Sequence, residues 1–212
     1  MVIDDAERLE IGIQVKRELR DRMKRVRRAL GDGPRALRSA AIAERVMALP
    51  EWKAARTVAL FVPMRTEIDV GLLERLARTE RKRIAAPRMI EGTSGGTELE
   101  LRAWEDGVEP VESGKMVREP PADAPLVDPA EVDLVIVPGL VFDERGARIG
   151  YGAGLYDRLL PKCTKARRVG VAHDFQLLAE IPEGPGDERI HVIVTNDRVV
   201  VIDRRPAPDE AA

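Results

Sequence analysis

The stretch that most constrains this chain is an apolar strand followed by a loop of alternating glycines. Val132-Asp133-Leu134-Val135-Ile136-Val137 is apolar apart from one acid and stops at Pro138-Gly139, the pattern of a buried strand. The chain then runs into a loop that carries Arg148 and glycines at alternate positions, Gly150, Gly152 and Gly154. A helical pattern begins at Tyr156-Asp157-Arg158. Glycines in such a loop let backbone N–H groups approach an anion, and the helix start adds its positive end. The loop is therefore predicted to hold something negatively charged. A purely structural turn is the alternative, and Arg148 and Asp157 flanking the glycines favour a ligand.

The spacing excludes two common phosphate motifs. A dinucleotide fingerprint needs Gly-x-Gly-x-x-Gly directly after the strand, whereas these glycines run Gly-x-Gly-x-Gly after a longer turn, and no Gly-x-x-x-x-Gly-Lys-Ser/Thr occurs. Gly-x-Ser-x-Gly is also absent, so a serine nucleophile has no support. Cys163 is the only cysteine, which rules out an intrachain disulfide and a thiolate zinc site. It reads as an ordinary residue beyond the loop's helix. His173 and His191 have no partners at metal-ligand spacing.

At 212 residues the chain suits one α/β domain, here taken as residues 1–202, with a frayed tail at 203–212. Lys and Arg number 35 against 37 Asp and Glu, so any anion site must be a local concentration of basic groups. Aromatics are only 3%, too few for the stacking platforms of nucleic-acid binders. The first residues are acidic and no apolar run reaches membrane-spanning length, so the expectation is a cytoplasmic chain without membrane or nucleic-acid partners.

In chain order, residues 6–30 read as one long helix ended by Gly31-Asp32-Gly33-Pro34, with Val15, Leu19, Met23, Val26 and Leu30 as its core stripe. Lys16 and Arg20 lie four apart on a neighbouring face and could converge on one phosphate chain. The alternative is a solvated face, because Arg17, Arg22, Lys24, Arg25, Arg27 and Arg28 share the helix. A second helix spans 34–49, and strands at 57–62 and 83–87 flank a helical stripe of Leu72, Leu73, Leu76 and Ala77. This order marks a parallel or mixed sheet covered by helices. Glu67 falls just past the first strand, where α/β folds place ligand groups, or else is a helix-start carboxylate facing the dipole. A loop at 91–97 precedes a half-buried strand at 98–104. The proline- and acid-rich stretch 105–129 is a long surface excursion and a candidate to cross the active site. A helix at 155–160, strands at 168–172 and 189–195, and a hairpin partner at 198–202 complete the chain.

The long motif Pro138-Gly139-Leu140-x-Phe142-Asp143-x-x-Gly146-x-Arg148-x-Gly150-x-Gly152-x-Gly154-x-Tyr156-Asp157-Arg158 resembles the signature of the 5-formyltetrahydrofolate cyclo-ligase family, also called methenyltetrahydrofolate synthetases. The likeness runs from the first helix to the last strand. Lys16-Arg17-x-Leu19-Arg20 resembles the family's opening basic motif, Phe61-x-x-Met64-x-x-Glu67 its folate-holding segment, and Gly170-x-Ala172-x-x-x-Gln176 with Thr195 its closing pattern. The resemblance implies a three-layer α/β/α, Rossmann-like fold of the NagB/RpiA/CoA-transferase type. It implies ATP contacts at Lys16, Arg20, Arg148, Gly150, Tyr151, Gly152, Ala153, Gly154, Tyr156 and Asp157, with Lys16 and Arg148 catalytic. It implies folate contacts at Val62, Glu67, Leu155 and Tyr156, and Mg²⁺ at Asp157 and Asp187.

The implied reaction converts 5-formyltetrahydrofolate to 5,10-methenyltetrahydrofolate in a monomer, through ATP-dependent phosphorylation of the formyl oxygen and ring closure by N10. Such a step needs positioning and charge neutralisation more than a strong base. Three departures stand out. Leu155 replaces a tyrosine, Met116-Val117-Arg118-Glu119-Pro120 stands for Gly-Ile-x-Glu-Pro, and Gly186-Asp187 stands for His-Asp. The rival expectations are a divergent ATP-using relative acting on another formamide or acid, and a non-catalytic nucleic-acid binder using the Arg-rich first helix.

Overall fold

The computed structural model describes residues 4–92, 95–113 and 117–202. Met116 and the tail 203–212 lie outside the described residues.

A continuous apolar run such as Leu134–Val137 suits a strand covered on both faces. It forms the centre of an eight-stranded sheet. The strands, in chain order, are β1 (Thr57–Ala59), β2 (Arg83–Glu91), β3 (Thr97–Ala103), β4 (Val111–Ser113), β5 (Val117–Glu119), β6 (Leu126–Val127) and β7 (Leu134–Val137). They continue with β8 (Val141–Asp143), β9 (Arg148–Ile149), β10 (Arg167–Ala172), β11 (Leu177–Leu178), β12 (Val192–Thr195) and β13 (Val199–Val201). The large sheet runs β13-β12-β10-β7-β1-β2-β3-β6. Its five central strands, β12 to β2, are parallel, and β13, β3 and β6 are antiparallel additions at the edges. The mixed α/β sheet expected from the sequence is therefore present.

Taken in chain order, the parallel strands sit 2-1-3-4-5, the doubly wound order in which the winding reverses between the first and third. Those neighbours are β1 and β7, paired through Val58 with Leu134 and Ala59 with Val135. A crevice opens beyond their carboxyl ends because successive connections leave on opposite faces.

The faces are covered differently. Leu134 and Ile136 point into a core with Ile42, Val46, Trp52 and Leu73, from helices α1 to α4 excluding the first: α1 is Asp5–Ala29, α2 Asp32–Ala48, α3 Pro50–Ala54 and α4 Gly71–Thr79. Val135 and Val137 point the other way, onto Phe142, Leu159 and Leu160, where the short helix α5 (Leu155–Leu159) covers the sheet. A three-stranded sheet β11-β8-β9 adds to that side, and Met23 of α1 packs with its Leu140, Val141 and Ile149. Phe142 is wedged between Gly139 and Gly170. A Cβ on either glycine would stand 2.5 or 2.7 Å from the ring, so only glycine fits.

Three readings of the sequence need correction. The 132–137 strand does not feed the glycine loop directly, because the hairpin β8–β9 intervenes. Buried Asp143 braces that hairpin, accepting from the N–H groups of Arg145 and Ala147, each at 2.9 Å, and of Ile181 at 3.1 Å. Val26 is not in the core stripe of α1. It is 41% exposed while Arg27 is 2% exposed, so the inward face of the helix is partly basic. The strand predicted from Arg189 begins only at Val192. Among the described residues no helix is long and apolar enough to cross a membrane.

Candidate functional site

The crevice at the switch point is a cavity of about 410 Å³. Its walls come from the residues after β1 (Phe61 to Glu67), from β2 and β3 (Pro87, Met89, Leu99), from β5, and from the loop 148–157. Lys16 and Arg20 of α1 and Asp187 complete it.

After β1 the chain turns back on itself, with the Glu67 N–H bonded to the Met64 carbonyl at 2.9 Å. The turn buries the Glu67 side chain. One carboxylate oxygen accepts from the Met64 N–H at 2.9 Å and the other from the Tyr151 hydroxyl at 3.0 Å. Glu67 is 7% exposed, and burial pushes its carboxyl above the usual range. The Met64 hydrogen bond, the nearby Arg27 charge and the Tyr151 hydroxyl pull the other way. Burial and the Glu67 charge in turn raise the phenols of Tyr151 and Tyr156. Helix α4 starts only at Gly71, so Glu67 is no helix-start carboxylate.

The basic side chains arrive paired. Lys16 of α1 forms an ion pair with Asp187, whose second contact is the Gly184 N–H at 2.8 Å. Arg20 donates from Nε to the Gly150 carbonyl at 3.0 Å. Arg148 donates from Nη2 to Asp157 at 2.8 Å, and the Glu188 N–H reaches the same Asp157 oxygen at 3.3 Å. Arg148 also lies over the Tyr156 ring, 5.6 Å from its centroid. The glycines have distinct tasks. Gly152 sits at φ 110° against the Arg20 guanidinium and Gly154 at φ 62° begins α5, both left-handed conformations that favour glycine. Gly150 leaves room for Arg148, since a Cβ there would lie 2.6 Å from Nη1.

Every residue singled out from the sequence, Lys16, Arg20, Val62, Glu67, the loop from Arg148 through Asp157, and Asp187, borders this cavity. The Tyr151 hydroxyl donates to Glu67, linking the glycine loop to the turn after β1. The surface excursion does reach the cavity, through Val117, Arg118 and Glu119 of β5. Glu119 is buried and accepts from the Met89 N–H at 3.1 Å, tying that strand to β2. The sequence reading missed Pro87, Met89 and Leu99, which carry no chemistry, and Arg27. Arg27 follows Arg20 and Lys16 on the same helical face, at spacings of seven and eleven residues, and that recurrence was its signal.

Asp157 and Asp187 are two carboxylates on one cavity, and among the described residues no three His, Cys, Asp or Glu side chains gather as a metal cage. Two oxygen donors are what Mg²⁺ needs when phosphate and water supply the rest. Cys163 is buried, with its thiol pushed up to about 11 by burial, so it is no nucleophile.

The sequence matches the model of the 5-formyltetrahydrofolate cyclo-ligase family over residues 12–196. It is 35% identical over 161 residues to the 5-formyltetrahydrofolate cyclo-ligase of Escherichia coli (strain K12), which spans 74% of this chain and 87% of that one. Identity to the 5-formyltetrahydrofolate cyclo-ligase of Mycolicibacterium smegmatis is 32% over 150 residues, covering 69% and 76% of the two chains. The NMR structure of Aquifex aeolicus 5,10-methenyltetrahydrofolate synthetase superposes with a TM-score of 0.78 at 32% identity, over 91% of this chain and 95% of that one. With the family model matched from the second turn of α1 to just past β12, and with relatives of this identity and coverage, the chain belongs to the 5-formyltetrahydrofolate cyclo-ligase family.

Proposed function

We propose that this protein converts 5-formyltetrahydrofolate into 5,10-methenyltetrahydrofolate, using ATP with Mg²⁺ and releasing ADP and phosphate. The observation that carries the proposal is the meeting of Lys16, Arg20 and Arg148 with Asp157 and Asp187 on one cavity, whose other wall is apolar and contains buried Glu67. A formamide oxygen is a poor leaving group. ATP, when bound, supplies the phosphoryl group that makes this oxygen displaceable on ring closure by N10.

The residues then divide the work. Lys16, Arg20 and Arg148 would neutralise phosphate charge, and N–H groups of the 150–154 loop would add hydrogen-bond donors to it. Asp157 and Asp187 would hold Mg²⁺ through carboxylate oxygens. In the protein alone, the Lys16–Asp187 and Arg148–Asp157 pairs balance those charges against one another. Phosphate oxygens would take over the cations and leave the carboxylates to the metal. Glu67 offers its carboxylate to N–H groups of the folate ring system, and Phe61, Met64, Met89 and Leu99 cover the ring and exclude water.

Absorbance of methenyltetrahydrofolate, followed with 5-formyltetrahydrofolate and MgATP, tests this. Product is expected only with ATP present, and Asp157→Ala or Arg148→Ala is expected to abolish it. No product from the unaltered protein would refute the reaction, and full activity in both variants would refute the assigned roles. Leu155, in place of a tyrosine on the folate side, supports a second reading in which another formamide or acid is used. ATP turnover stimulated by such a compound and not by 5-formyltetrahydrofolate would favour it.

A further inference from the structure

Arg27 is the most deeply buried arginine of α1, 2% exposed, although the helix could have turned its neighbour Val26 inward instead. Burying a guanidinium is costly unless its donors and charge are answered. Thr66 answers two donors: Nε reaches its carbonyl at 2.8 Å and Nη2 its hydroxyl at 3.1 Å. The guanidinium lies 5.9 Å from the centroid of the Tyr151 ring, which also carries Lys24 at 5.8 Å. Arg27 and Glu67 further share a void of about 10 Å³, also bordered by Pro138 and Gln176, with space for about one water.

We infer that Arg27 is a positioning residue for the substrate-facing pair Glu67 and Tyr151: locked on Thr66, it fixes the 64–67 turn and keeps a buried positive charge beside the Glu67 carboxylate. The inference rests on the proposed reaction, in which Glu67 contacts the folate. A helix anchor with no such role would be better served by an apolar side chain, as Met23 one turn earlier illustrates.

The groups facing Glu67 are Arg27 from α1, the Met64 N–H from its own turn, Tyr151 from the glycine loop and Tyr156 from α5. Both phenols are raised, and His173, which also feels Arg27, is held down to about 4. Glu67 is therefore the group among these whose titration the removal of Arg27 would move. Losing the cation leaves burial less opposed, so the carboxyl protonates at higher pH.

The experiment is a pH profile of kcat/KM for 5-formyltetrahydrofolate at saturating MgATP, with KM for ATP measured in parallel, for the parent, Arg27→Gln and Arg27→Lys. In Arg27→Gln the acid limb is expected to move up by about one pH unit, with folate KM at neutral pH raised about tenfold and KM for ATP nearly unchanged. Arg27→Lys keeps the charge but cannot span both Thr66 oxygens, so its acid limb should stay near the parent's while folate KM still rises several-fold. An unchanged acid limb in Arg27→Gln, an unchanged folate KM in Arg27→Lys, or equal rises in both KM values would overturn the inference. Should Arg27→Gln not fold, the Arg27→Lys comparison decides alone. If the parent itself makes no product, the proposed reaction has failed; if the parent is active and the variants match it, only the role of Arg27 has failed.

Discussion

His173 shows how much one side chain can reveal about the energetics of this fold. It follows β10, is fully buried, and stacks on Phe175 with ring centroids 5.2 Å apart. Among the described residues neither ring nitrogen has a hydrogen-bond partner. Burial, reinforced by the positive charges of Arg38, Arg27 and Arg35, pushes its imidazole down to about 4. An unfolded histidine takes a proton near pH 6.5, so between 6.5 and 4 the unfolded chain binds a proton that the folded one refuses. Stability from this site is thus present above 6.5 and drains away as the pH falls toward 4. Urea unfolding at pH 7 and pH 5 should show the parent losing about 2 kcal/mol more than His173→Leu over that interval. Equal losses in the two proteins would refute the argument. Glu67 behaves oppositely: its folded carboxyl is raised, so its charge costs stability as pH climbs past the unfolded value. A Glu67→Gln variant should therefore gain on the parent between pH 4 and pH 7, while folate KM rises at every pH. A stability gap that does not widen with pH would contradict the burial argument.

At the scale of elements, the glycine loop and α1 operate as a unit. Gly150→Ala is tolerable for the backbone but places a Cβ 2.6 Å from Arg148 Nη1, so the guanidinium must shift, loosening its Nη2 bond to Asp157 and leaving the position from which it would meet a phosphate. A charged hydrogen bond from Arg148 to a phosphate is worth about 1.5–3 kcal/mol, so kcat/KM for ATP should fall roughly ten- to a hundredfold with little change in melting temperature. A large thermal destabilisation with unchanged ATP kinetics would show that the loop is structural only. How much of these elements the sequence disclosed follows from their lengths and periods. The buried run at 134–137, the alternation at 97–103 and the span of α1 were legible because each repeats one physical pattern over several residues. Strands β8, β9 and β11 are two or three residues long and leave no alternation to read. The rotation of α1 was misjudged for another reason: apolar periodicity alone favoured Val26, and only Thr66, Tyr151 and Glu67, distant in sequence, make Arg27 the better inward residue. The pairing of Lys16 with Asp187 is equally a tertiary fact, written in neither residue's neighbours.

For the molecule as a whole, the same parallel strands contribute to the core on each face, Leu134 and Ile136 to one and Val135 and Val137 to the other, so unfolding in urea should proceed as a single cooperative transition. Phe142→Ala empties the space that Gly139 and Gly170 are shaped around and should cost about 3–5 kcal/mol, lowering the urea midpoint without altering the slope. Two separated transitions would argue against one folding unit. Lys16 and Asp187, which meet as an ion pair at the edge of the cavity, are 171 positions apart along the chain. A nascent polypeptide therefore carries Lys16 long before its partner Asp187 has been synthesised. Fragments that stop short of Asp187 would leave Lys16 without its counter-charge and the cavity unfinished.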